Sequence, residues 1–120
     1  MHIKGQLLKQ MNKYLLILDL VDDSESIKQY EAYHQQIPIE IDQSIRRAGI
    51  VSMEIYRFEN RLIMEMVTNE TFSFENKAKL DAENSAVQAW EILMEKFQQR
   101  IPGSKIHEKW VLTSKIFSLN

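Results

Sequence analysis

The stretch "IVSMEIYRFENRLIMEMV", residues 50 to 67, decides the fold. Two apolar runs flank Glu59 and Asn60, a two-residue connection in which asparagine tolerates positive φ, so the stretch reads as a β-hairpin. Within the first run Val51, Met53 and Ile55 share one face, and Ser52, Glu54 and Tyr56 share the other. Within the second, Leu62, Met64 and Met66 oppose Arg61, Ile63 and Glu65. Alternation with period two puts one apolar face against a core.

Upstream of the hairpin, Gly49 follows "IRRA" and suits a left-handed helix end after two basic residues in the last turn. The helix it ends carries Ile27, Tyr30, His34, Ile37, Ile41, Ile45 and Ala48 at spacings of three and four, an inward stripe. Pro38 interrupts it, which predicts a kink or two helices with Pro38 opening the second. "DDSES" before it supplies capping and acidic groups, and Tyr14 to Val21 before that reads as a strand.

Downstream, residues 68 to 85 are polar with little periodicity and read as a long loop with room for a helical turn. Ser85 to about Gln99 is a second helix with Val87, Trp90, Leu93 or Met94, and Phe97 on its apolar stripe. Pro102 and Gly103 end it, and "HEKWVLTSKIFSL" alternates as a last strand. The order βαββαβ implies an α+β domain: an antiparallel four-stranded sheet with both helices on one face.

A chain of 120 residues buries roughly two thirds of its unfolded surface as one domain. The absence of cysteine excludes disulfides, CxxC redox pairs and thiolate metal sites, and cytoplasm is the expected compartment. With 17 acidic and 15 basic residues scattered evenly, no basic stripe exists to track nucleic acid. The apolar run in "YLLILDLV" falls far short of the roughly 20 residues that cross a bilayer.

Most candidate residues have an ordinary structural reading. A histidine on an apolar stripe usually makes one hydrogen bond in a partly buried site, Trp90 and Trp110 are core aromatics by default, and Glu54, Glu65, Glu91 and Glu108 belong on solvated faces. The functional reading groups Tyr30 and His34 on one helix with Trp90 and Glu91 on the other, around a gap that strand residues face. Ser-His-Asp spacing, HExxH, a glycine-rich phosphate loop and a carboxylate cluster for a metal are all missing, and the chain has three glycines. Proton transfer to an uncharged substrate remains, a task suited to histidine.

The segments "LDLVDD", "YEAYH", "SIRRAGI", "MEIYR", "NRLIMEM", "VQAWEILMEKFQQ", "EKWV" and "KIFSL", in this order, resemble the L-rhamnose/L-fucose mutarotase family over residues 13 to 119, with wording nearest its L-fucose branch. The resemblance implies a ferredoxin-like, dimeric α/β-barrel that interconverts sugar anomers without cofactor or metal. It matches the catalytic histidine to His34, a substrate-contacting tyrosine to Tyr30 and a substrate-contacting tryptophan to Trp90. Met53 and Glu91 stand where the rhamnose branch carries a tyrosine and a second tryptophan, which shifts the expected sugar toward L-fucose. The segment "HQQIPIEI" departs from the usual tryptophan and proline before the glutamate matched by Glu40, which alters the wall near that turn. Glu54, Glu91, Glu108 and Lys109 are candidate hydroxyl contacts.

Residues 1 to 12 then read as an extension, and the uncovered sheet face predicts a homodimer with Trp110 and Phe117 in the contact. Two other readings stay open on residues alone: a non-catalytic dimeric barrel that binds a small ligand, and a cofactor-free monooxygenase or haem-degrading enzyme of the same architecture.

Overall fold

The computed structural model describes residues 11–120. Residues 1–10, most of the expected extension, lie outside the described residues. The elements are β1 (Asn12–Leu20), α1 (Ser24–Gln35), α2 (Ile39–Arg47), β2 (Ile50–Phe58), β3 (Arg61–Thr68), α3 (Phe74–Ala82), α4 (Ser85–Glu95), β4 (Gln98–Gln99) and β5 (Val111–Leu112). The antiparallel sheet runs β2-β3-β1-β4, the ferredoxin-like order, with β5 also on β1 beside β4. No described helix is long and apolar enough to cross a membrane.

Pro38 ends the first helix and starts the second. With φ of −57° it sits at the N-cap of α2, whose first turn carries Glu40 and Asp42 and whose last carries Arg46 and Arg47, each sign facing the matching end of the helix dipole. At the start of α1 the Asp23 carboxylate accepts the Ser26 amide hydrogen at 2.9 Å.

Alternate residues along the second half of β1 and along β3 are buried: Leu16, Leu18 and Leu20, and Leu62, Met64 and Met66. Leu20 and Leu62 meet Tyr30 from α1, Met94 from α4 and Phe97 just beyond it in one cluster, and Leu16, Met64 and Met66 meet Ile50 and Ile45 in a second. Full burial of a leucine such as Leu18 or Leu62 contributes about 1.5–3 kcal/mol.

Several details differ from the sequence reading, and the helix read from Ser85 to about Gln99 stops at Glu95, with Gln98–Gln99 already in β4. Between Ile50 and Ser52 the β2 register slips by one residue, so Val51 is the extra residue of a bulge. Ile50 is therefore buried and Val51 exposed, while Met53 and Ile55 keep the inward face. At the hairpin turn Glu59 takes the positive φ, +53°. Asn60 instead holds the end of β1, accepting the Leu20 amide hydrogen through its carbonyl at 2.7 Å and donating its side-chain amide to the Leu20 carbonyl at 3.0 Å.

The polar stretch expected as a loop contains α3, capped by the Ser73 hydroxyl, which accepts the Asn76 amide hydrogen at 3.0 Å. None of its residues is buried, so it has no stripe for a periodicity argument to find. The expected last strand is reduced to Val111–Leu112. Beyond it Ile116 and Leu119 are 95% and 86% exposed and Phe117 is exposed as well, and among the described residues no strand pairs with them.

Candidate active site

His34 stands in the last turn of α1, half-buried, with Nδ1 2.8 Å from the Tyr30 carbonyl oxygen. A carbonyl only accepts, so Nδ1 carries the hydrogen and donates it. That bond holds the ring orientation and leaves Nε2 as the nitrogen without a partner among the described residues. The histidine on the apolar stripe thus finds its partner one turn back, in the backbone of Tyr30 rather than in its phenol.

Two aromatic rings flank the imidazole. The Tyr30 ring lies 4.3 Å away, centroid to centroid, at 33°, and the Trp90 ring 5.5 Å away at 66°. Tyr30 is fixed by its core neighbours, with Phe97 edge-on at 6.2 Å. Burial pushes its phenol up to about 12, and a hydrogen bond with the Gln98 side chain pulls weakly the other way. The phenol therefore keeps its proton across the neutral range and remains a donor.

These groups line a cavity of about 940 Å³ between the helices and the inner face of the sheet. Of the residues named from sequence, Tyr30, His34, Trp90, Glu91, Met53 and Lys109 all border it. Lys109 pairs with Glu95, Nζ to Oε1 2.6 Å. Two others stand apart. Glu54 follows Met53 on β2 and so faces the opposite side of the sheet, paired across the strands with Glu65; its charge, with that of Glu65, holds the exposed Tyr56 phenol above its ordinary value. Glu108 lies in the loop before β5, where its carboxylate accepts the Lys105 amide hydrogen at 3.1 Å.

The cavity also takes side chains that residue types alone did not single out: Lys77 and Asp81 of α3, Gln98 of β4, and the Glu31–Arg57 pair between α1 and β2, Nε to Oε1 2.8 Å. Trp110 borders it too and packs against both core clusters, so this chain's own core occupies a side chain expected at a subunit contact. Arg57 was legible in the alternation that places it on the Met53 face; Lys77 and Asp81 gave no signal, since their helix has no apolar stripe. Among the described residues no group of three or more His, Asp or Glu converges to hold a metal ion.

An imidazole with one nitrogen anchored and the other unbonded among the described residues, a protonated phenol, an indole face and several charged or amide groups in one recess suit proton transfer on a polar, uncharged ligand. The sequence pattern of the L-rhamnose mutarotase family matches residues 13–119. The chain belongs to that family. It is 40% identical over 112 residues to an L-fucose mutarotase of Xanthomonas campestris pv. campestris, covering 92% of this chain and 90% of that protein. The crystal structure of an L-rhamnose mutarotase from Formosa agariphila shares the fold at a TM-score of 0.66 and 17% identity, covering 91% of this chain and 99% of that one. A Nitrosomonas europaea protein described as an antibiotic biosynthesis monooxygenase shares it more distantly, with a TM-score of 0.54, 11% identity and coverage of 92% and 95%. The family membership agrees with the resemblance carried by the segments between residues 13 and 119.

Proposed function

We propose that the chain is a cofactor-independent mutarotase that interconverts the α and β anomers of a free deoxy-sugar, with L-fucose preferred to L-rhamnose. The observation that carries this reading is His34: Nδ1 is tied to a backbone carbonyl and Nε2 is left free in a cavity walled by a protonated phenol, an indole and polar side chains. Identity to an L-fucose mutarotase supports the choice of sugar.

The chemistry follows from the bonds that change. His34 Nε2 takes the proton of the anomeric hydroxyl as the C1 to ring-oxygen bond breaks, and the ring oxygen receives a proton from Tyr30 or, through water, from solvent. The free aldehyde then turns about its C1–C2 bond, and closure on its other face reverses both transfers. Each positioned transfer is worth roughly 10²- to 10⁴-fold. Trp90 presents an apolar face to the C–H surface of the sugar, and Glu91 and Lys109 are at hand for hydroxyls, which need partners once buried.

The shared fold keeps the oxygenase reading in view, but Lys77, Asp81, Glu91 and Gln98 put charged and amide groups on a wall that an apolar substrate would desolvate without offering new partners. Exchange rates on the two sugars, read by saturation transfer between anomeric NMR signals, test the preference. L-Fucose is expected to exchange faster at equal concentration; faster exchange of L-rhamnose would reverse the assignment.

The same reading includes a cytoplasmic homodimer. The outer sheet face exposes Leu15, Tyr56 and Phe58, the last 73% exposed, and the chain beyond β5 exposes Ile116, Phe117 and Leu119. A second copy is the partner that buries both at once. Sedimentation is expected to show a dimer at micromolar concentration that dissociates when residues 114–120 are removed. A stable monomer of the full chain would contradict this.

A further inference from the structure

One polar string in the cavity wall has no part in the proton transfers above. Lys77 and Asp81 lie one turn apart on α3, with Lys77 Nζ 2.5 Å from Asp81 Oδ2, and their side chains are only 29% and 14% exposed. Both border the same cavity as His34. The Asp81 backbone carbonyl accepts the Gln88 side-chain amide at 2.9 Å, which ties the end of α3 to α4. The same amide nitrogen lies 3.5 Å from Glu91 Oε2, next along the chain to Trp90. The string therefore passes from α3 to the residues beside the imidazole.

A structural role explains this pair poorly. An ion pair at this spacing on a helix surface contributes about 0.2–0.5 kcal/mol, and drawing both charges into a recess costs desolvation that apolar side chains would avoid. A ligand accounts for it better. Each sugar hydroxyl both donates and accepts, and two neighbouring hydroxyls match a site that offers an ammonium donor beside a carboxylate acceptor. Lys77 keeps two further N–H donors after serving Asp81, and Oδ1 of Asp81 is not the atom that Lys77 contacts.

We propose that Lys77 and Asp81 form a hydroxyl clamp that grips two neighbouring hydroxyls on carbons away from the anomeric centre and selects their configuration. The clamp rests on the mutarotase reading of the cavity. L-Fucose and L-rhamnose differ in configuration at C2 and C4, so a fixed donor and acceptor reach the hydroxyl pair of one better than that of the other. A misdirected hydroxyl leaves its own O–H, or a remaining donor or acceptor of this half-buried pair, without a partner, which is where the discrimination arises.

The test is steady-state anomer exchange on both sugars with the wild type, Lys77→Gln, Asp81→Asn and Lys77→Arg, with thermal melts alongside. Lys77→Gln and Asp81→Asn are expected to raise KM for the preferred sugar about 10- to 100-fold, the range for losing a hydrogen bond to a charged group, while kcat changes less than about threefold. The preference between the two sugars should shrink in the same variants, and Lys77→Arg should recover part of it by restoring the charge. A merely structural pair would move the melting temperature and leave the preference intact. Folded variants with wild-type KM and preference overturn the clamp alone. A wild type that exchanges neither sugar overturns the mutarotase reading, and the clamp with it. Lys77 is the more exposed of the two, so Lys77→Gln decides the matter if Asp81→Asn does not fold.

Discussion

His34→Gln is expected to keep its fold and its sugar binding while anomer exchange falls at least about 10²-fold, the scale for losing a positioned proton-transfer group. Glutamine retains an amide N–H for the Tyr30 carbonyl and nearly fills the ring's place against Tyr30 and Trp90, so the surroundings lose little. What it lacks is a ring nitrogen that can take up a proton and return it. The loss should therefore fall on kcat, with KM changing only a few fold. Circular dichroism and a thermal melt establish the fold, and anomeric saturation transfer establishes the rate. Exchange at a near wild-type rate in a folded His34→Gln protein would leave the histidine as a packing residue with one hydrogen bond.

Gly49→Ala is expected to destabilise the protein by about 3 kcal/mol, through two effects that add at one position. Gly49 joins α2 to β2 with φ of +100°, a backbone state that an alanine side chain resists. A Cβ there would lie 2.7 Å from Asn69 Oδ1, 3.0 Å from Thr71 Oγ1 and 3.2 Å from Phe72 Cβ. Asn69 has little room to yield, since its Oδ1 accepts from both the Thr71 amide and hydroxyl, at 3.0 and 2.7 Å, and its backbone N–H donates to the Gly49 carbonyl at 2.9 Å. This segment leads directly into α3, so the strain should also loosen the Lys77–Asp81 wall. Urea titration reads the change. A loss below about 1 kcal/mol would show that the loop gives way freely.

The hairpin was legible because alternation is a two-residue signal that strands cannot hide, and the stripe from Ile27 to Ala48 was legible because its members are all buried or half-buried. Pro38 was readable for the opposite reason, since its ring forbids a continuous helix. The bulge at Val51 was not, because one extra residue changes the facing of Ile50 and Val51 without changing composition. Helix α3 escaped because a cap and an i,i+4 ion pair hold it, with no buried residue to mark a period. The tail beyond β5 alternates as a strand should, but past Thr113, which still bonds to the Leu15 carbonyl, residues 114–119 have no strand partner among the described residues.

For the site, the same alternation that placed Met53 on the inner face already sends Glu54 to the outer one, and Glu54 does not border the cavity. That His34 bonds to the Tyr30 carbonyl was beyond the sequence, because spacing brings two residues together without saying whether backbone or side chain makes the contact.

Saturation transfer on L-fucose with the wild-type protein reads the movement of protons on the anomeric centre of a free sugar itself. With the α-anomer signal saturated and protein far below sugar concentration, the β-anomer signal is expected to fall in proportion to added protein. A β-anomer signal unchanged from the protein-free sample, with L-fucose and with L-rhamnose alike, would contradict it.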